Sequence, residues 1–168
     1  MALFINGIGS ISPAPAFAAL TAAAPVARAD NRLQALEPTY TDYLDARVSR
    51  RMSRIVKMGT VTALQALRDA GLTTTNGVIA GTGWGCLEDT VTFLQKMVTN
   101  QEEMLSPTSF IHSTHNTIAA QVAYQLKCRG YNNTYVHRNI SFESALIDAT
   151  LLLLESPENQ LLIGGIDE

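Results

Sequence analysis

Apolar positions along the chain change their period several times, and each change marks an element. Leu3 to Ile8 is a short apolar run closed by Gly7 and Gly9, which predicts a first strand entering a turn. From Arg47 to Ala70 the residues Ile55, Met58, Val61, Leu64 and Leu67 recur at three-residue steps, and Gly71 follows as a stop signal, which predicts one long helix. Asn76 to Gly83 reads as a buried strand built on Val78, Ile79 and Ala80. Cys86 to Val98 carries a helical stripe of Leu87, Val91, Leu94 and Met97, with Glu88 and Asp89 in the first turn where the helix dipole favours acids. Ser106-Pro107 breaks the chain, and a further helix is predicted over Asn116 to Lys127. A strand at 133–136 then leads into Phe142 to Glu155, apolar on nearly every side, as expected of a helix buried all round. Gln160 to Ile163 is the last strand, ending at Gly164-Gly165.

Strands alternating with helices imply a mostly parallel sheet covered by helices, an α/β fold with one central helix and enough strands for a single layer. Between the first strand and the first helix, residues 12–45 show no sustained period and carry four prolines, so they read as a long surface connection.

Composition narrows the class. A chain of 168 residues, 46% hydrophobic and 16% charged, has enough apolar surface for one globular core and argues against disorder. A net charge of −3 gives no reason to expect nucleic-acid binding. Cys86 and Cys128 fit neither a disulfide framework nor a metal-ligand spacing, and a reducing cytoplasm is the expected compartment. The Ala-rich stretch from Pro13 to Ala29 lacks the basic start of a signal peptide and is interrupted by prolines. No apolar run is long enough to span a bilayer.

Gly81-Thr82-Gly83-Trp84-Gly85 follows a strand and precedes a helix, but its spacing is GxGxG rather than the dinucleotide-binding GxGxxG. A tight turn permitting close backbone approach is the better reading. Arg47, Arg50, Arg54 and Lys57 fall at helical spacings, either as a docking stripe for an acidic partner or as a solvated or dimer-facing helix end. His112, His115 and His137 have no further ligand at metal spacing, so no metal is expected. Loop polarity or capping near Asn116 accounts for the first two; His137 lies four residues before Ser141 and within possible reach of it.

The segment Tyr131 to Ala149, with the glycine pair Gly164-Gly165 after the next strand, resembles the nucleophile region of β-ketoacyl synthases. Arg50 to Met58, Ala66 to Leu72, Gly81 to Gly85, and Ser106-Pro107 with Asn116 to Ala123 are similar, in the same order, to other stretches of that family. The resemblance implies a thiolase-like fold whose N-terminal half spans residues 1–168. The second half, with the paired histidines that drive condensation, is expected to fall outside these residues. Ser141 stands where the family's catalytic cysteine would be expected, with Phe142, Glu143, His137 and Asn116 as its acyl-pocket or oxyanion neighbourhood. Three readings of Ser141 remain: a nucleophile needing a base, an N-cap for the following helix, or a lost thiol, the last two being compatible. The resemblance further implies a subunit of a type II fatty-acid or polyketide-type pathway, of the non-condensing chain-length-factor type. Its partners would be acyl carrier protein and a cysteine-containing ketosynthase homologue or a second copy of itself, with no cofactor. An acyltransferase using Ser141 and a stand-alone interaction module are the alternatives.

Overall fold

The computed structural model describes residues 3–13 and 34–167, so the signal-like stretch beyond Pro13 and most of the long connection lie outside the described residues. The described elements are α1 (Ala46–Ser49), α2 (Arg54–Asp69), β1 (Gly77–Gly81), α3 (Leu87–Thr99), α4 (Pro107–His112), α5 (Thr117–Gln125), β2 (Tyr131–Tyr135), α6 (Ser141–Glu155) and β3 (Leu161–Gly165). The three strands form a parallel sheet in the order β2-β1-β3, in which Gly77 is level with Tyr131 and Leu161, and Gly81 with Tyr135 and Gly165.

Central strand β1 is buried along its whole length, as expected of a parallel strand covered on both faces. Its alternation divides the core. Val78 and Ala80 pack among Ile55, Val56, Val61 and Leu67 of α2 and Ile118, Ala119 and Val122 of α5. Ile79 points the other way, onto Ala145 and Ala149 of α6. Helices α2 and α5 cross closely because Gly59 has no side chain: a Cβ there would stand 2.6 Å from Ile118 Cγ2. At the sheet's lower end Asn76 holds the strand starts in register. Its carbonyl accepts from Tyr131 N at 3.2 Å, its side-chain oxygen accepts from Gln160 N at 2.8 Å, and its own N–H donates to Gln160 O.

Three expectations are corrected. Leu3 to Ile8 forms no strand; it runs over α2, with Gly7 and Gly9 against the carbonyls of Ala66 and Thr62 and Ile8 N–H bonded to Asp69 Oδ2 at 2.9 Å. A short apolar run pairs only if a free strand edge lies beside it, and here the helix is what it meets. The single helix predicted from Arg47 is two, because the chain turns between Arg50 and Ser53. Finally, α6 sits centrally on the sheet but is buried on one face only: Ser141, Ala145 and Ala149 are covered, whereas Leu146, Ile147, Leu151 and Leu154 are exposed. Nothing among the described residues lies over that apolar face. The short helix α4 was not foreseen; its six residues are too few to show a period.

Candidate active-site cleft at the head of the central helix

Residues converge at the C-terminal end of the sheet. β1 continues into the turn Thr82–Gly85, β2 leaves through Val136 and His137 into a tight 3-10 turn at Arg138–Ile140, and Ser141 opens α6. Thr82 N donates to Tyr135 O and Ile166 N to Gly81 O, both at 3.0 Å, so the three strand exits stay together. Gly81 is required here, because a Cβ would stand 2.6 Å from the backbone C and O of Ser141. Gly85 adopts φ +69° against the ring of His115. A cleft of about 250 Å³ opens between these exits, lined by Gly83, Trp84, Arg138, Asn139, Ser141 and Phe142, with Gly81, Gly165 and Asp167 closing its floor and side.

Ser141 is 3% exposed. Its hydroxyl accepts from His137 N and donates to Arg138 O, both at 2.8 Å. That closes the turn entering the helix and leaves the hydroxyl proton facing a carbonyl. The backbone already has helical angles at Ser141, and the bonds run back to the preceding turn, so its role is turn closure rather than an N-cap on the helix's own N–H groups. His137 does not serve it. The imidazole Nδ1 lies 3.0 Å from Ser144 Oγ, which itself donates to Ile140 O at 2.8 Å, and the ring stands edge-on to Tyr135 at 5.8 Å. Phe142 is exposed and its ring approaches Gly165; Glu143 is exposed in the first turn of α6. Asn116 lies outside this cleft's lining and makes no side-chain bond to the helix it precedes, so the capping expected there is absent.

Sequence reading missed Ser144, Trp84, Arg138, Asn139 and Asp167. Arg138 holds φ +53°, a conformation that no residue-type signal announced. Asp167 Oδ1 accepts from Thr82 Oγ1 at 2.9 Å, Gly83 N at 2.7 Å and Trp84 N at 3.3 Å, across more than eighty residues of sequence.

The basic stripe is split. Arg47 is in α1, Arg50 at its end, and Arg54 and Lys57 in α2. Arg47 and Arg50 are exposed, Lys57 is half-buried, and Arg54 pairs with Glu37 at 2.6 Å. Tyr40 and Arg54 both bond to Glu37; the Tyr40 hydroxyl, more than the guanidinium, holds that carboxyl below its ordinary value against a smaller opposing effect of burial. Among the described residues no three His, Cys, Asp or Glu side chains gather as a metal site, and no helix is long and apolar enough to cross a membrane.

A parallel sheet with a central helix opening at its C-terminal end, beside a glycine turn, is the arrangement of thiolase-like proteins. Residues 24–168 match the family model for the β-ketoacyl synthase N-terminal domain, and the chain belongs to that family. No curated protein matches it. Among solved structures, the whole chain superposes on 68% of a chain from the complex of the ketosynthase ApeO with its chain length factor ApeC from Xenorhabdus doucetiae, with TM-score 0.78 and 22% identity. It is also similar to the ishigamide ketosynthase/chain length factor, with TM-score 0.62 and 24% identity over 71% of this chain and 36% of that one. A β-ketoacyl synthase from Burkholderia phymatum STM815 matches with TM-score 0.58 and 15% identity over 76% of this chain and 33% of that one. At these identities the likeness is one of fold, and the chain spans about a third of the length of the latter two.

Proposed function

We propose that the chain acts as a non-condensing, chain-length-factor-like subunit of a type II fatty-acid or polyketide-type pathway, in the cytoplasm, alongside a cysteine-containing ketosynthase homologue. The observation that carries this reading is the engagement of Ser141. A serine nucleophile needs a base to take its proton, and here that proton faces the Arg138 carbonyl while the nearest imidazole is bonded to Ser144. Unlike a cysteine, a serine at a helix start gains almost no ionisation from the dipole at neutral pH, and the Glu143 carboxylate beside it opposes an alkoxide further. The match to structures of ketosynthase/chain length factor assemblies adds weight.

Open surfaces support a complementary half or second chain. A cleft of about 580 Å³ runs between β3, the N-terminal segment and α2, lined by Phe4, Ile5, Gly59, Leu161, Ile163 and Phe142. Together with the exposed Leu146, Ile147, Leu151 and Leu154 of α6, it leaves apolar side chains uncovered by the described residues, the kind of surface that marks an interaction site. We assign residues 1–168 to the N-terminal half of the fold on this basis. Acyl carrier protein is the second proposed partner; its docking would centre on Arg47 and Arg50, since Arg54 is held by Glu37.

The test is acyl loading followed by intact mass. This chain, copurified with the ketosynthase homologue of its source, is incubated with an acyl-thioester carrier protein. The expected adduct is on the homologue's cysteine with none on Ser141. A stoichiometric acyl ester on Ser141 overturns the reading.

A further inference from the structure

The glycine turn failed as a nucleotide motif, yet its backbone does hold an anion. Gly83 N and Trp84 N, two successive amides, converge on one oxygen, Asp167 Oδ1, together with the Thr82 hydroxyl, which in turn accepts from Gly85 N at 2.8 Å. Successive N–H groups that converge in a turn form a concave anion-binding nest. Arg138 and Asn139 line the same cleft.

The structure assigns the turn Thr82–Gly85 as a cradle for a small oxyanion that the chain closes with its own Asp167 carboxylate. Asp167 is two residues past the end of β3, so strand pairing carries the carboxylate to the turn at high effective concentration. A free anion at millimolar concentration cannot compete with an occupant tethered at that distance. The cradle is therefore shut while β3 is paired, and opens if the segment after β3 moves or if the carboxylate is removed. The inference stands apart from the proposed function, because it concerns the turn and not Ser141 or any partner.

The experiment uses the full chain with Asp167→Ala, Asp167→Ser and Asp167→Asn, titrated separately with inorganic phosphate and with acetate against chloride at matched ionic strength. The amide resonances of Gly83 and Trp84 and the emission of Trp84, the chain's single tryptophan, give the readout. The alanine and serine variants, whose side chains are too short to reach the amides, are expected to show saturable shifts at least tenfold tighter than any wild-type response. Asp167→Asn keeps an acceptor in place and is expected to stay as unresponsive as wild type. A response of the short variants to either anion supports the cradle, and the two arms distinguish a phosphate from a carboxylate preference. Folded short variants that respond to neither anion, or a wild type that responds equally, overturn it; unfolding of both short variants overturns it too, since an opened cradle requires a turn that holds its shape.

Discussion

Replacing Gly81 by alanine tests how tightly the site is tied to the sheet. The added Cβ would stand 2.6 Å from Ser141 C and O and 2.7 Å from Phe142 Cα, all backbone atoms that no rotamer change can move. Ordinary carbon contacts begin near 3.5 Å, so the head of α6 must retreat by about 1 Å. Overpacking of this kind costs about 1–3 kcal/mol, and a clash with three backbone atoms belongs at the upper end. For a chain of this length, about 3 kcal/mol lowers the melting temperature by about 6–12 °C. The same retreat bears on Ser141, whose two bonds at 2.8 Å link α6 to the turn before it. Gly164→Ala is the matched control, because among the described residues its Cβ would find only Ile166 Cδ1, at 3.7 Å, and it should melt within about 2 °C of wild type. Thermal unfolding followed by circular dichroism and by Trp84 emission reads both variants. If Gly81→Ala melts with wild type, the close approach of β1 to α6 is not what the fold depends on, and the reasoning fails.

Two further predictions concern polar groups. Ser141→Ala leaves His137 N and Arg138 O without their shared hydroxyl and should destabilise the chain by about 1–3 kcal/mol, measured by urea unfolding, while leaving acyl loading of a partner ketosynthase unchanged. Loss of loading without loss of stability would restore Ser141 as a nucleophile. Glu37 has its folded pKa lowered, chiefly by the Tyr40 hydroxyl and then, against burial, by Arg54. Its contribution is therefore present above the unfolded value near 4.5 and is lost as pH falls through the lower folded value. The pair is partly exposed, so the effect is at most about 1 kcal/mol and screened by salt. Glu37→Gln should flatten the fall of the melting temperature as pH drops below the unfolded value near 4.5, relative to wild type; an unchanged acid slope would place the titration elsewhere.

What the sequence disclosed was whatever repeats along it. The stripe from Ile55 to Leu67 became a helix because burial on one face imposes a period, and the run Val78-Ile79-Ala80 became a strand buried along its whole length. The helix expected through Leu87, Val91 and Leu94 also formed, but that stripe is exposed and Phe93 is its buried residue. Leu3 to Ile8 misled because an apolar run specifies burial or pairing but not the partner. The break at Arg50–Ser53 was hidden among polar residues whose spacing is compatible with one helix or two. In the site, the position of Ser141 at the head of a helix was legible from the strand before it and the apolar run after it. The direction of its hydroxyl was not, since that depends on a turn only three residues long. Asp167 was invisible for a different reason: its partners lie across the sheet, and only the pairing of β1 with β3 brings them together.

The head of α6 thus combines two features that pull in opposite directions for a reacting site. Gly81, Ala145 and Ala149 let the helix settle onto β1 as closely as backbone allows, which preserves the shape in which a nucleophile would be presented. The polar groups within that shape are turned inward: Ser141 closes a turn, Ser144 holds His137, and Asp167 fills the glycine turn. A hydroxyl bonded within the chain must break those bonds before it can meet a substrate, and for buried Ser141 leaving its partners unsatisfied costs about 1–3 kcal/mol. Phe142, Leu146, Ile147, Leu151 and Leu154, by contrast, face outward with no such restraint. On the proposed reading this division follows from the role itself, since a subunit that shapes a partner's acyl pocket needs a rigid framework and an apolar outer face rather than a free nucleophile.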